Sequence, residues 1–128
     1  MKIINIFFAS LGMVALIFMF THPAHAQNEV RPIAPYIVKD TDNDSPGTNM
    51  VTRIVTITAE VGGTQPIALQ WKLDKGHGFE DIRGATNATY RIGNAQVSDA
   101  GFYSLFATNA AGRINTTPVP LIVSEGID

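Results

Sequence analysis

Three aspartates at alternate positions, Asp40, Asp42 and Asp44, form the clearest candidate for a metal-binding pattern in the sequence. Carboxylates in this D-x-D-x-D order supply the first oxygen ligands of an EF-hand calcium loop, which also needs a glycine at its sixth position and a glutamate at its twelfth. Those positions hold Ser45 and Val51. The pattern therefore favours a solvated loop, and a calcium site would require ligands from other loops. We predict no metal site and no cofactor.

Catalytic residue types are scarce in the rest of the chain. It has no cysteine, no G-x-S-x-G and no H-E-x-x-H pattern, and His77 is the one histidine after residue 26. The usual nucleophile, general base and zinc ligands are therefore missing. Glu80 and Asp81 are neighbours on an expected strand, where successive side chains point to opposite faces. They do not form a catalytic pair, and the sequence predicts a protein that is not an enzyme.

The first 26 residues have the pattern of a secretory signal peptide. Lys2 precedes an apolar run over residues 3–20, and Ala24 and Ala26 form an A-x-A cleavage site before Gln27. An uncleaved anchor is the alternative, because a run of about 18 apolar residues approaches the length that spans a bilayer. We expect cleavage, with no membrane span remaining. The mature protein would then be secreted, periplasmic or attached to the cell surface.

Charge argues against nucleic acid as a partner. The formal net charge is −2, and removal of Lys2 leaves 8 basic and 11 acidic residues, or −3. A phosphate backbone is bound through clustered lysine and arginine, which this composition does not provide. We therefore expect a partner of another kind.

Alternating apolar residues predict strands. The inward faces of the two clearest strands hold Val55, Ile57, Ala59 and Val61, and then Ile67, Leu69, Trp71 and Leu73. A third strand follows the turn residues Asp99 and Gly101, and its inward face begins with Tyr103 and Leu105. Residues 51–124 are thus predicted to form one β-sandwich domain. Residues 27–50 form a lead-in with an edge strand over Val30–Val38 and the acidic loop.

The turn at Asn109–Gly112 separates the third strand from the last one. It predicts a tight hairpin with Gly112 available for a positive φ. The last strand, residues 114–123, contains Pro118 and Pro120, which predict a bend or an edge.

Several short motifs together resemble bacterial immunoglobulin-like (I-set-type) modules of secreted and surface proteins. In order, they are Gln70-Trp71, Phe79–Thr86, Thr89-Tyr90, Val97–Tyr103 and Ala107–Gly112, and they cover about Met50 to Val123. The resemblance implies an all-β Greek-key sandwich without a disulfide, because Ala59 and Leu105 stand where the family has its cysteine pair. It also implies a core around Ala59, Trp71, Tyr103 and Leu105, with Tyr103 locking the corner before its strand.

Two surfaces are candidates for binding. The outward face of the Tyr103 strand would present Phe102 and Phe106, joined on neighbouring strands by Gln70, Lys72, Arg113 and Asn115. Exposed aromatic rings beside cations are typical of interface cores. The alternative is that residues 79–82, or the lead-in, cover the rings. The second surface is the loop end that carries residues 62–66 and 109–112.

These observations predict a noncatalytic binding or adhesion module that contacts protein or glycan at the cell envelope. Self-association through the same rings is a further possibility. The alternative function is a structural subunit that joins an envelope assembly by edge-strand addition.

Overall fold

The computed structural model describes residues 29–44 and 46–126, so the predicted signal peptide lies outside the described residues. Within them, two sheets pack as a β-sandwich. The strands, in chain order, are β1 (Tyr36–Asn43), β2 (Thr48–Met50), β3 (Val55–Gly62), β4 (Ala68–Asp74), β5 (Phe79–Asp81), β6 (Thr89–Ile92), β7 (Gly101–Asn109), β8 (Gly112–Asn115) and β9 (Val119–Ser124). One turn of 3-10 helix (Val97–Asp99) precedes β7.

The smaller sheet has the order β1-β3-β6, with antiparallel neighbours. The larger sheet has the order β2-β9-β7-β4-β5, and β8 pairs with the second half of β7 on the same side as β9. The last strand is thus divided into β8 and β9 by residues 116–118, where the sequence predicted a bend. Pro120 faces outward beside Phe102 of β7.

The core lies between the sheets and contains the inward residues of β3, β4 and β7. Trp71 is directly opposite Leu105, and neither residue is exposed. Ala59 and Tyr103 are 4% and 1% exposed. The indole nitrogen of Trp71 donates a hydrogen bond to the Asn87 carbonyl at 2.7 Å, so the buried ring leaves no unpaired donor.

A tyrosine corner joins the 3-10 turn to β7. The Tyr103 hydroxyl donates to the Asp99 carbonyl at 2.6 Å, and its ring stacks on Tyr90 of β6 at 5.8 Å between centroids. Burial, with smaller contributions from Tyr90 and Asp99, raises the pKa of Tyr103, so the phenol stays protonated at neutral pH and remains a donor.

Hydrogen bonds connect β1 to the segment between β8 and β9 along one side of the sandwich, and we call these contacts the seam. The Thr41 hydroxyl donates to Thr116 Oγ1, which also accepts the Leu105 N–H at 2.8 Å. Asp40 Oδ1 accepts the Thr117 N–H at 2.8 Å. Thr116 therefore replaces a backbone partner where the last strand is interrupted, and the seam ties the two sheets together.

The lead-in differs from the expectation, since its strand begins at Tyr36 rather than Val30 and continues to Asn43. Asp40 and Asp42 therefore lie in β1 and not in a loop. A loop was expected because these side chains are polar. The backbone nevertheless pairs with β3, where Asp42 lies opposite Thr58. An edge strand can hold such residues because their carboxylates remain in water.

The hairpin at Asn109–Gly112 forms in a different way from the one expected. Gly112 is not among the residues with positive φ. Instead, Asn109 Oδ1 accepts the N–H groups of Ala111 and Gly112, at 2.8 and 3.1 Å. An asparagine that bonds its own turn supplies the stabilisation that was assigned to glycine.

Candidate binding surfaces

The outer face of the larger sheet holds all six predicted binding residues, and four of them lie around a fifth, Phe106. Phe106 of β7 lies between Gln70 of β4 and Asn115 of β8. The neighbouring outward positions hold Lys72 and Arg113, as the two-residue period of strands requires. Phe102 lies further along β7, opposite Asp74 and Pro120. A shallow groove on this face is lined by Gln70, Lys72, Phe106 and Arg113, among others.

Phe106 is covered by other side chains of the domain. The Phe79 ring lies 5.7 Å from it between centroids, and Lys72 Nζ lies 4.6 Å from its centroid. Lys72 is in turn paired with Asp81 at 3.1 Å. The Phe106 ring therefore contacts the Lys72 ammonium group, which in turn pairs with the Asp81 carboxylate. This arrangement matches the alternative in which residues 79–82 cover the ring.

Gln70 also has an internal role. Its side-chain nitrogen donates to the carbonyls of Trp71 and Ile82, both at 2.8 Å. The amide therefore holds the chain after β5 against β4. A substitution at Gln70 would disturb the fold as well as any interface.

Phe102 is half exposed, at 49%. It lies beside Pro120, and Ile122 and Met50 continue the apolar surface across β9 and β2, with 49% and 44% of their surface exposed. We call these four residues the Phe102 strip. Sequence reasoning missed Met50 and Ile122, although Ile122 alternates with the buried Leu121 and Val123 and is therefore an outward position.

The second predicted surface, the loop end, is partly occupied by the chain itself. Ile33 exchanges hydrogen bonds with Thr64, and Asn109 Nδ2 donates to the carbonyls of Ile33 and Thr64, at 2.7 and 2.9 Å. Ala34 and Pro35 approach Gly63 so closely that a Cβ there would be 3.1 Å from backbone atoms. The backbone at Ile33 thus occupies part of the loop end.

The three aspartates of the partial calcium pattern have separate partners. Asp40 bonds the backbone of Thr41 and Thr117, Asp42 pairs with Lys39 at 3.4 Å, and Asp44 accepts the Thr56 N–H at 3.0 Å. A hydrogen bond from the Thr117 side chain, followed by smaller ones from the backbone of Thr41 and Thr117, holds the pKa of Asp40 below its usual value. In the described part of the chain, no group of three acidic or histidine side chains is arranged to hold a metal ion.

A cleft of about 380 Å³ lies on the side of the sandwich opposite the seam, between β4, β5 and β6. Its lining includes the apolar and aromatic residues Leu73, Ile82, Tyr90 and Tyr103 and the polar residues His77 and Asp99. Burial, followed by the charge of Asp99, raises the pKa of Tyr90. A ligand in the cleft would contact aromatic, aliphatic and polar side chains. Sequence reasoning did not identify this cleft.

Comparison with known proteins supports the fold. No protein-family model matches the chain. Over 74% of its length it superposes on the I-band fragment I67–I69 from titin, with 24% identity, a TM-score of 0.58 and 33% of that chain covered. Sidekick-1 immunoglobulin domains 1–5 give 22% identity and a TM-score of 0.58, over 74% of this chain and 20% of theirs. The protein has an immunoglobulin-like fold.

One curated protein shows similarity in sequence. Endoglucanase C of Cellulomonas fimi is 34% identical over 70 residues, which are 55% of this chain. The matched stretch spans only 6% of the endoglucanase. The similarity is therefore to a small part of that enzyme.

Among the described residues, no helix has both the length and the apolar character needed to cross a bilayer.

Proposed function

We propose that this protein is a noncatalytic binding or adhesion module of a bacterial envelope, secreted or periplasmic, that contacts a partner protein through the Phe102 strip. The observation that carries the proposal is the difference between two outward rings of one strand. Phe106 is covered by Phe79 and Lys72, whereas Phe102 remains 49% exposed beside Ile122 and Met50. Contiguous exposed apolar side chains are typical of interaction sites on soluble domains.

The strip fits an apolar protein surface. The charged residue opposite Phe102 on β4 is Asp74, whose carboxylate accepts the N–H groups of Gly76 and Gly78. The next charged residue along β4, Lys72, is paired with Asp81. Because only about half of Phe102 is exposed, its burial in a partner would contribute about 0.7–1.5 kcal/mol, half of the value for a fully exposed ring. Ile122 and Met50 enlarge this contact, which allows a second copy of the chain as well as a different protein to bind.

The bacterial and envelope parts of the proposal rest on the signal-peptide pattern and on the similarity to endoglucanase C of Cellulomonas fimi. That name also keeps a glycan as the alternative ligand. Because only 6% of the enzyme is matched, its catalytic activity is not transferred to this chain. The module would bind and not cleave.

The test is a crosslinking pull-down with the mature chain from its own envelope fraction. Phe102→Ser should lose the partner, while its melting temperature stays within about 2 °C of the wild type because Phe102 is half exposed and does not belong to the core cluster. Val38→Ser is the control, since Val38 is 55% exposed on the other sheet. Capture of the partner by Phe102→Ser at the wild-type level would refute the proposal that the Phe102 strip binds it. Release of the captured material by soluble glucan would favour a glycan as the ligand.

The structural-subunit function is a second candidate because β6 is an edge strand. Within the described residues it pairs only with β3. A stoichiometric complex that persists through purification and tolerates Phe102→Ser would favour this candidate. A free monomer with a soluble ligand would favour the first.

A further inference from the structure

In the part of the chain that the structure describes, the outer edge of β6 presents unpaired backbone groups. The Ala59 N–H donates to the Ala88 carbonyl at 3.1 Å, just before β6 begins. Bonded and non-bonded pairs alternate along antiparallel strands. Tyr90 and Ile92 therefore direct their backbone groups toward β3, and Thr89 and Arg91 direct theirs outward.

The outward groups have no hydrogen-bond partner among residues 29–44 and 46–126. Thr89 and Arg91 are exposed, and their N–H and C=O groups repeat at about 6.8 Å along the edge. Such a row is the template on which another strand can pair. The chain between β5 and β6 does not cover it: Ala85 and Asn87 bond to Trp71 instead.

The cleft lies beside this edge. Tyr90, whose side chain lines the cleft, is the residue between Thr89 and Arg91. A strand added to β6 would alternate its side chains as β6 does, so its inward residue would enter the cleft against Leu73, Ile82 and Tyr103. The backbone groups of β6 that could pair with a strand thus lie next to the cleft that could hold one of its side chains.

We infer that β6 accepts an extended segment of another protein, paired with Thr89 and Arg91, with a large apolar or aromatic side chain seated in the cleft. Main-chain hydrogen bonds would hold the segment, and the cleft would select the inward residue. The inference gives the structural-subunit function a specific surface. It uses no residue of the Phe102 strip.

The probe is a panel of short capped peptides that alternate threonine with one apolar residue type: valine, leucine, phenylalanine or tyrosine. Amide hydrogen exchange of the full chain is followed by NMR during titration. At saturation with a leucine, phenylalanine or tyrosine peptide, exchange at Thr89 and Arg91 should slow by about tenfold or more, while exchange at Lys75 should be unchanged. The same peptides with alternate backbone nitrogens methylated should not bind.

A pair of variants tests the edge itself. Arg91→Pro removes an N–H that faces solvent, a position where an edge strand tolerates proline. It should weaken binding of the best peptide by about tenfold or more, whereas Arg91→Ala should retain affinity within about threefold. Phe102→Ser should bind the peptide as well as the wild type, which separates this edge from the Phe102 strip.

Several outcomes would overturn the inference. They are failure of every peptide to slow exchange at Thr89 and Arg91, or equal binding by Arg91→Pro and Arg91→Ala. Protection of both amides without peptide would also overturn it. If that protection rises with protein concentration, a second copy occupies the edge, and if it does not, another part of the same chain does.

Discussion

The two sides of the sandwich are closed to different degrees. At the seam, Asp40 and Thr41 of β1 bond to Thr117 and Thr116 across the gap between the sheets. On the opposite side, β6 ends the smaller sheet and a cleft of about 380 Å³ separates it from β4 and β5. The domain thus closes one side with polar side chains, of which Thr116 is buried. On the other side, backbone groups of β6 have no partner among the residues that the structure describes.

The difference shows where the domain can change without loss of stability. A buried hydrogen-bonding group that loses its partner costs more than an exposed one, since water replaces the partner only at the surface. The seam should therefore be sensitive to substitution and the β6 edge tolerant. An edge that is not needed for stability is available for binding.

The largest effect is expected where both sides depend on one residue. Trp71 packs in the shared core, and its backbone and indole N–H groups hold the chain before β6. Trp71→Ala should lower the free energy of unfolding by about 3–5 kcal/mol. Denaturant unfolding followed by circular dichroism measures this loss. A cooperative transition near the wild-type midpoint would show that the core lies elsewhere.

The seam and the edge can be compared by the same substitution. Thr116→Val keeps the shape of the side chain but leaves the Leu105 N–H buried without its acceptor, so stability should fall by about 1–3 kcal/mol. Thr89→Val on β6 should change stability by less than about 0.5 kcal/mol. Equal losses in the two variants would mean that the edge is as tightly closed as the seam.

The tyrosine corner borders the cleft. The Tyr103 hydroxyl makes a hydrogen bond there, to the Asp99 carbonyl. Tyr103→Phe removes the hydrogen bond to the Asp99 carbonyl and should cost about 0.5–1.5 kcal/mol. Tyr36→Phe is the matched control, because Tyr36 is 51% exposed. The thermal transitions of the two variants should differ, and coincident transitions would argue against a stabilising corner.

The smallest effect is the pH dependence of the seam. The Thr117 hydrogen bonds lower the pKa of Asp40 in the folded state, so its contribution is complete above the usual value of about 3.9 and is lost as pH falls through the folded value. From pH 7 to about pH 3, the denaturation midpoint of the wild type should fall more than that of Asp40→Asn. Asp42→Asn should follow the wild type, and an equal fall in all three would contradict this role for Asp40.

Much of the fold could be predicted because period 2 and turn residues are local signals. Trp71 and Leu105 alternate with polar neighbours, and Asp99 and Gly101 mark the corner. The surfaces were harder, since their state depends on distant contacts. Phe102 and Phe106 look alike in sequence, and only the position of Phe79 separates them. Likewise, the free edge of β6 depends on where the chain from Ala85 to Asn87 crosses, which no local pattern indicates.

Amide hydrogen exchange along β6, in the full chain without any partner, tests the open side most directly. The structure predicts that Thr89 and Arg91 exchange at least about tenfold faster than Tyr90 and Ile92, whose N–H groups bond to β3, while the amide of Leu105 beneath the seam is protected. Uniform protection of all four β6 amides would contradict the account, because it would show that the edge is already paired.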